Sequence, residues 1–268
     1  MTLPPNAFKI ALRERRPQIG LWVAMADAYA AEIAGHAGFD WLVIDGEHGP
    51  NDLRSILAQL QALQGSPSEP VVRLPVGETW MIKQALDIGA RTLLIPMVDS
   101  AEQAEMLVRA VRYPPHGVRG MGSGIARASR FSTIPNYVAK ASDDICLLIQ
   151  AESRAAMADL ERMAKVDGID GVFIGPSDLA ADMDFPGNIE APEVQAAIEQ
   201  GIATILRAGK PAGILTSHES LNRRYLDLGA TFVAVGADVS EFSAALKRLR
   251  MKYKPDADTG ETPTSGGY

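Results

Sequence analysis

The chain has 268 residues, 47% of them hydrophobic and 22% charged, with a formal net charge of −7. Those totals describe an ordinary globular chain long enough for one domain of about 250 residues with a sizeable core. They exclude a basic nucleic-acid footprint, and no stretch approaches the roughly 20 apolar residues that a membrane helix needs.

In chain order, Met1 to Arg16 shows no apolar core of the kind expected of a secretory leader, and Asn6–Arg15 reads as an extra helix. Eight short apolar runs follow: Gly20–Ala24, Trp41–Ile44, Val71–Leu74, Thr92–Met97, Ile145–Gln150, Gly171–Ile174, Ala212–Leu215 and Phe232–Val235. Most are apolar at every position, as strands of a parallel sheet buried on both faces are. Amphipathic helical segments alternate with them. Asn51 is expected to cap Asp52–Gln64, and Ser100 to cap Ala101–Val111 with Gln103 completing a capping box. Ala155–Ala164, Pro192–Ala208, Glu219–Leu228 and Ser240–Tyr253 read as further helices, with Pro192 in the first turn of its segment.

Eight β-then-α units predict an α/β fold, a closed (β/α)8 TIM barrel with an extra N-terminal helix. An open doubly wound sheet is the alternative, weakened because no G-x-G-x-x-G follows the first strand. One catalytic domain is expected over residues 1–254. The tail from 255 to 268 lacks apolar periodicity and is expected to be disordered. Arg112–Asn136, rich in Gly, Arg and Ser, is the longest interruption, and such loops are often functional. The one cysteine, Cys146, lies in an apolar run, reads as a buried strand residue, and leaves no partner for an intramolecular disulfide. The expected setting is the cytoplasm.

Barrel chemistry gathers where strands end. Strand two runs into Asp45-Gly46-Glu47-His48-Gly49, strand three into Arg73, strand five into Gln150 and Glu152, and strand six into Gly175-Pro176-Ser177-Asp178. Glu152 and Asp178 stand on neighbouring strands about 4.8 Å apart, so the two carboxylates either share a proton or hold a cation. A glycosidase-like acid pair is the alternative, but Arg73 and Gln150 suit an oxyanion substrate better. Hard oxygen ligands favour Mg²⁺ or Mn²⁺, whereas zinc would want more His or Cys. His48 is the natural general base, its tautomer set by Asp45 or Glu47, and His218 is a second candidate. No lysine lies in a predicted strand, which disfavours a Schiff-base route. Loops seven and eight are poor phosphate cradles.

Several long motifs carry a resemblance: Trp41 through Asn51, Tyr113 through Gly120, Gln150-Ala151-Glu152-Ser153, Gly171 through Leu179, and Tyr225 through Ala230. Over about Phe8 to Tyr253 the chain resembles the metal-dependent, or class II, hydroxy ketoacid (pyruvate) aldolases. The resemblance implies reversible cleavage of 4-hydroxy-2-keto acids to pyruvate and an aldehyde, with a divalent metal (Mg²⁺, Mn²⁺ or Co²⁺) as cofactor. It implies Glu152 and Asp178 as metal ligands, His48 as base, and Arg73 as the stabiliser of the enolate oxygen. Gln150, Asp178 and the backbone at Ser177 would contact substrate. Asp87, on the helix after strand three, would raise the basicity of His48 from a neighbouring subunit. A homo-oligomer, a trimer of dimers, is therefore expected, with small-molecule substrates and no nucleic-acid or membrane partner. Ala151 and Ser153 depart from the larger apolar residue and Thr common in the family, a change expected to adjust packing only.

Overall fold

A computed structural model describes residues 5–254 of the chain. Eight parallel strands close into one barrel in the order β1-β2-β3-β4-β5-β6-β7-β8, as expected. They are β1 (Gln18–Val23), β2 (Trp41–Asp45), β3 (Glu69–Arg73), β4 (Thr92–Ile95), β5 (Cys146–Ala151), β6 (Gly171–Ile174), β7 (Ala212–Leu215) and β8 (Phe232–Ala237). The helices among the described residues are α1 (Ala7–Arg13), α2 (Ala28–Gly35), α3 (Leu53–Ala62), α4 (Thr79–Asp87), α5 (Ala101–Val111), α6 (Tyr137–Asp144), α7 (Arg154–Lys165), α8 (Pro176–Asp182), α9 (Pro192–Arg207), α10 (Glu219–Asp227) and α11 (Asp238–Met251). The tail expected to be disordered lies outside the described residues.

The unbroken apolarity of the strands has a plain cause. Successive side chains point to opposite faces, and each face meets its own core. In β2, Trp41 and Val43 join a cluster inside the barrel, while Leu42 and Ile44 join the layer between strands and helices. In β5, Cys146 and Leu148 point in, and Leu147 and Ile149 point out. Continuing the inward parity to the strand ends brings Asp45, Arg73 and Gln150 to the mouth. The floor beneath them is aromatic: Trp22 lies 6.0 Å from Trp41 and 5.4 Å from Phe173, and Phe8 of α1 closes the far end 5.5 Å from Trp41. Gly213 makes room for this plug, since a Cβ there would stand 2.1 Å from the Phe232 ring.

Several local expectations need correction. Asp52, not Asn51, caps α3, in a reciprocal box with Ser55, while the Asn51 amide instead donates to the Asp45 carbonyl at 2.8 Å. Ser100 does cap α5, but the Gln103 side chain accepts from Asp99 N–H and so does not complete the box. The long connection Arg112–Asn136 contains two short 3-10 turns, Ser123–Ile125 and Arg127–Ser129, and delivers the chain to α6. Because it leads from the end of α5 toward the start of β5, it lies at the far end of the barrel from the mouth. The last helix, α11, has no buried residue at all. Its Val239, Phe242, Leu246 and Leu249 follow helical spacing and are each 46–57% exposed. Its base is tied down by Asp238 accepting from Ala24 N–H at 2.9 Å and Met25 N–H at 3.2 Å.

Candidate active site

The mouth is built around a buried ion pair. Arg73 and Asp45 face each other in register on β3 and β2. Arg73 Nε donates to Asp45 Oδ1 at 3.0 Å and Nη2 to Oδ2 at 2.7 Å, and Nη1 lies 2.7 Å from Glu47 Oε2. The guanidinium also stacks 5.4 Å from the Trp22 ring. Asp45 holds the next turn as well, accepting from Glu47 N–H at 3.0 Å and His48 N–H at 3.2 Å. It thereby fixes the backbone from which His48 projects. Glu47 approaches the imidazole itself, with Oε2 3.9 Å from Nε2. Burial raises the Glu47 carboxyl above its usual range, helped by Asp45 and Asp178 and opposed by Arg73.

Glu152 stands just past β5 and is 2% exposed. Oε1 accepts from the Met97 N–H at 2.7 Å, and Oε2 accepts from the Gln150 side-chain amide. Burial pushes the carboxyl up to about 7, with the charges of Asp178 and Glu47 adding and the two donors opposing. Asp178 lies in the first turn of α8 and lines the same cavity as Gln150 and Ser177. Close approach of β6 is possible only because residue 175 is glycine: a Cβ there would fall 2.2 Å from Glu152 Oε2. Among the described residues no group of three or more His, Cys, Asp or Glu is placed to hold a metal. The two acids fit a hard cation in a different way. They supply oxygens, their mutual repulsion is what a dication relieves, and the buried Gln150 Oε1 beside them has no hydrogen-bond partner. Two protein carboxylates also leave coordination positions for a ligand and water.

A cavity of about 210 Å³ opens over this group. Arg73, Gln150 and Gly175 through Asp178 form one side, and Gly187, Ile189 and Leu215 through His218 another, with Trp22 and Phe173 between. Of the expected residues, Arg73, Gln150, Ser177 and Asp178 line it, while Asp45, Glu47 and His48 form the adjoining turn. Asp87 is not brought there in its own chain. It ends α4 at the opposite pole, where it accepts from Arg119 Nη2 at 2.8 Å. Arg119 is fully buried and stacks 4.5 Å from the Tyr113 ring. His36 caps the C-terminus of α2, away from the cavity. Sequence reasoning missed Trp22, Phe173, Leu215, Gly187, Ile189 and the Met97 N–H. The first three were visible as inward positions near strand ends, but the backbone donor and the α8–α9 loop left no compositional signal.

A closed parallel barrel whose mouth joins paired acids, a clamped arginine and an exposed imidazole defines the class of (β/α)8 enzymes that handle anionic carbonyl compounds. Residues 18–245 match the HpcH/HpaI aldolase/citrate lyase family, and the chain belongs to that family. By that membership it is an aldolase, a carbon–carbon lyase. It is 63% identical to the hydroxypyruvate/pyruvate aldolase of Agrobacterium fabrum over the whole of both chains. It is 53% identical to the 4-hydroxy-2-oxo-heptane-1,7-dioate aldolase of Escherichia coli, over 94% of this chain and 96% of the relative. Its fold matches the crystal structure of a family member from Burkholderia cenocepacia J2315 with a TM-score of 0.90 at 38% identity, covering 93% of this chain and 99% of that one.

Proposed function

We propose that this protein is a class II pyruvate aldolase, catalysing the reversible, metal-dependent cleavage of 4-hydroxy-2-keto acids to pyruvate and an aldehyde. The observation that carries the reading is the buried Glu152 carboxylate beside Asp178, with the unpartnered Gln150 Oε1 next to them. Glu152 and Asp178 would hold the divalent cation (Mg²⁺, Mn²⁺ or Co²⁺), which when bound supplies Lewis-acid stabilisation to the keto and carboxylate oxygens of the substrate.

The chain's own groups do the rest. Gln150 and the Ser177 backbone orient the keto acid. Arg73, held in one plane by Asp45 and Glu47, faces the charge that develops on the enolate oxygen, where preorganised donors lower a barrier most. His48, 47% exposed in its side chain, takes the methyl proton of pyruvate, directly or through water, and the methylene carbon then attacks the aldehyde. In the cleavage direction His48 takes the 4-hydroxyl proton as the C3–C4 bond breaks.

The working protein in this proposal is a cytoplasmic homo-oligomer, a trimer of dimers. Its support is the apolar stripe of α11, which finds no cover among the described residues. A neighbour would also bring Asp87, one-quarter exposed and gripped by Arg119, toward His48 of another subunit.

The test is pyruvate release from a 4-hydroxy-2-keto acid, read by coupled reduction of pyruvate, before and after chelation and after adding back Mg²⁺, Mn²⁺ or Co²⁺. Metal-dependent release is expected. Full turnover by exhaustively chelated protein would overturn the proposal.

A further inference from the structure

The far side of the cavity is assigned to nothing in the mechanism above, yet it is built with care. In a closed ring of eight strands, β3 and β7 are four strands apart in either direction. The loop after β7 therefore faces Arg73 across the mouth. It presents Leu215, Thr216, Ser217 and His218 to the cavity, and Gly187 and Ile189 of the α8–α9 loop join them.

Both loops are held by one helix face. Asn222 of α10 donates to the Thr216 carbonyl at 2.8 Å, and Thr216 Oγ1 in turn accepts from His218 N–H at 2.8 Å. Three residues along α10, Tyr225 donates to Gln195 Oε1 at 2.9 Å, and Gln195 donates to the Ile189 carbonyl at 2.7 Å. Thr216, Asn222 and Tyr225 are all buried. The imidazole they hold out has its Nδ1 3.9 Å from Glu190 Oε1. The carboxylate is too far for a hydrogen bond at that distance, but its charge draws the Nδ1 side of the ring and leaves Nε2 for a ligand.

We infer that His218, oriented by Glu190, hydrogen-bonds a hydroxyl group at the distal end of the aldehyde. The enzyme then prefers hydroxylated aldehydes over apolar aldehydes of similar length, and over those ending in a carboxylate. The inference rests on the aldolase reading and extends it to the second substrate. Trp22, Phe173 and Leu215 give the middle of the cavity an apolar wall. A polar atom on the ligand therefore finds partners at the two ends. Arg73 is the one cationic side chain among the lining residues, and it stands on the opposite side. A terminal carboxylate beside His218 would meet Glu190, and among the described residues no Lys or Arg lines that side of the cavity. A hydroxyl can donate to or accept from the imidazole at no such cost.

The experiment compares kcat/KM for addition of pyruvate to glyceraldehyde, butanal and succinic semialdehyde, with the metal-loaded parent and with His218→Ala, His218→Gln and Glu190→Gln. The parent should favour glyceraldehyde over both others. In His218→Ala the glyceraldehyde-to-butanal ratio should fall about tenfold, the scale of one lost hydrogen bond, and chiefly through KM. His218→Gln should recover part of the ratio, and the exposed Glu190→Gln, which threatens folding least, should lower it by a smaller factor. A parent that favours succinic semialdehyde, or ratios unchanged in His218→Ala and Glu190→Gln, would overturn the assignment. Pyruvate methyl exchange in D₂O, run first on the parent, separates the two layers. Without exchange the aldolase reading falls and takes this one with it; with exchange and unchanged ratios, this one falls alone.

Discussion

Arg73 and Asp45 bind each other through two parallel hydrogen bonds at register-matched positions of adjacent strands, and neither side chain is more than 3% exposed. Removing one member of such a pair strands a charge in a poorly solvated place. Asp45→Ala should cost about 3 kcal/mol of stability, at the low end for a broken buried pair because Glu47 still reaches Arg73. Urea denaturation would measure it. A midpoint unchanged from the parent would mean that Glu47 alone neutralises the guanidinium.

Arg73 itself should matter in the transition state more than in the ground state. Arg73→Ala is expected to lower kcat by about 10²–10³ while changing KM less, as loss of one preorganised donor does. Arg73→Lys should recover little, because a point charge cannot keep both the Asp45 fork and a third contact. Steady-state kinetics with saturating metal would decide, and near-parental kcat in the alanine variant would remove Arg73 from the mechanism.

Cation binding should depend on Glu152 and on the absence of a side chain at 175. Titration calorimetry with Mn²⁺ should show binding in the parent and none in Glu152→Ala, with an unchanged far-UV spectrum, since a mouth carboxylate carries little of the core. Gly175→Ala should also weaken binding, because its methyl would occupy the space of Glu152 Oε2, 2.2 Å from the ideal Cβ. Undiminished Mn²⁺ affinity in both variants would place the ion elsewhere.

A shared site makes a prediction about mixtures. His48→Ala and Asp87→Asn should each be slow alone. Subunit exchange between them should restore activity, because some sites would then hold an intact His48 and an intact Asp87 from different chains. Phe242→Asp with Leu246→Asp on α11 should shift the sedimentation profile to smaller species. A mixture no faster than its components would confine Asp87 to a structural role.

The barrel was legible because both of its cores are apolar, so each strand stood out as an unbroken run such as Trp41–Ile44. Some of the short helices were not. α6 and α8 have seven or eight residues and few buried side chains, too little periodicity to read. At the site, Asp45, Arg73, Gln150 and Asp178 could be read because strand-end position and residue type agree. The Asp52 cap of α3 was displaced by one residue, because Asn51 and Asp52 are both good caps and the Asn51 amide is drawn to the Asp45 carbonyl. The roles of Met97 and Ile189 passed unseen, because there the backbone acts and the side chain advertises nothing.

Trp22 belongs at once to the ring stack inside the barrel and to the wall of the cavity, with Arg73 5.4 Å from its ring. The chain has only three tryptophans; Trp41 is sealed in the interior, and Trp80 lies half-exposed on α4. The indole of Trp22 is therefore the fluorophore in direct contact with whatever enters the mouth. Its emission gives the protein a built-in optical gauge of occupancy, usable without label or turnover. Trp80→Phe would silence the most solvent-exposed background signal and leave a near-single-site reporter for keto acids, aldehydes and ions in turn.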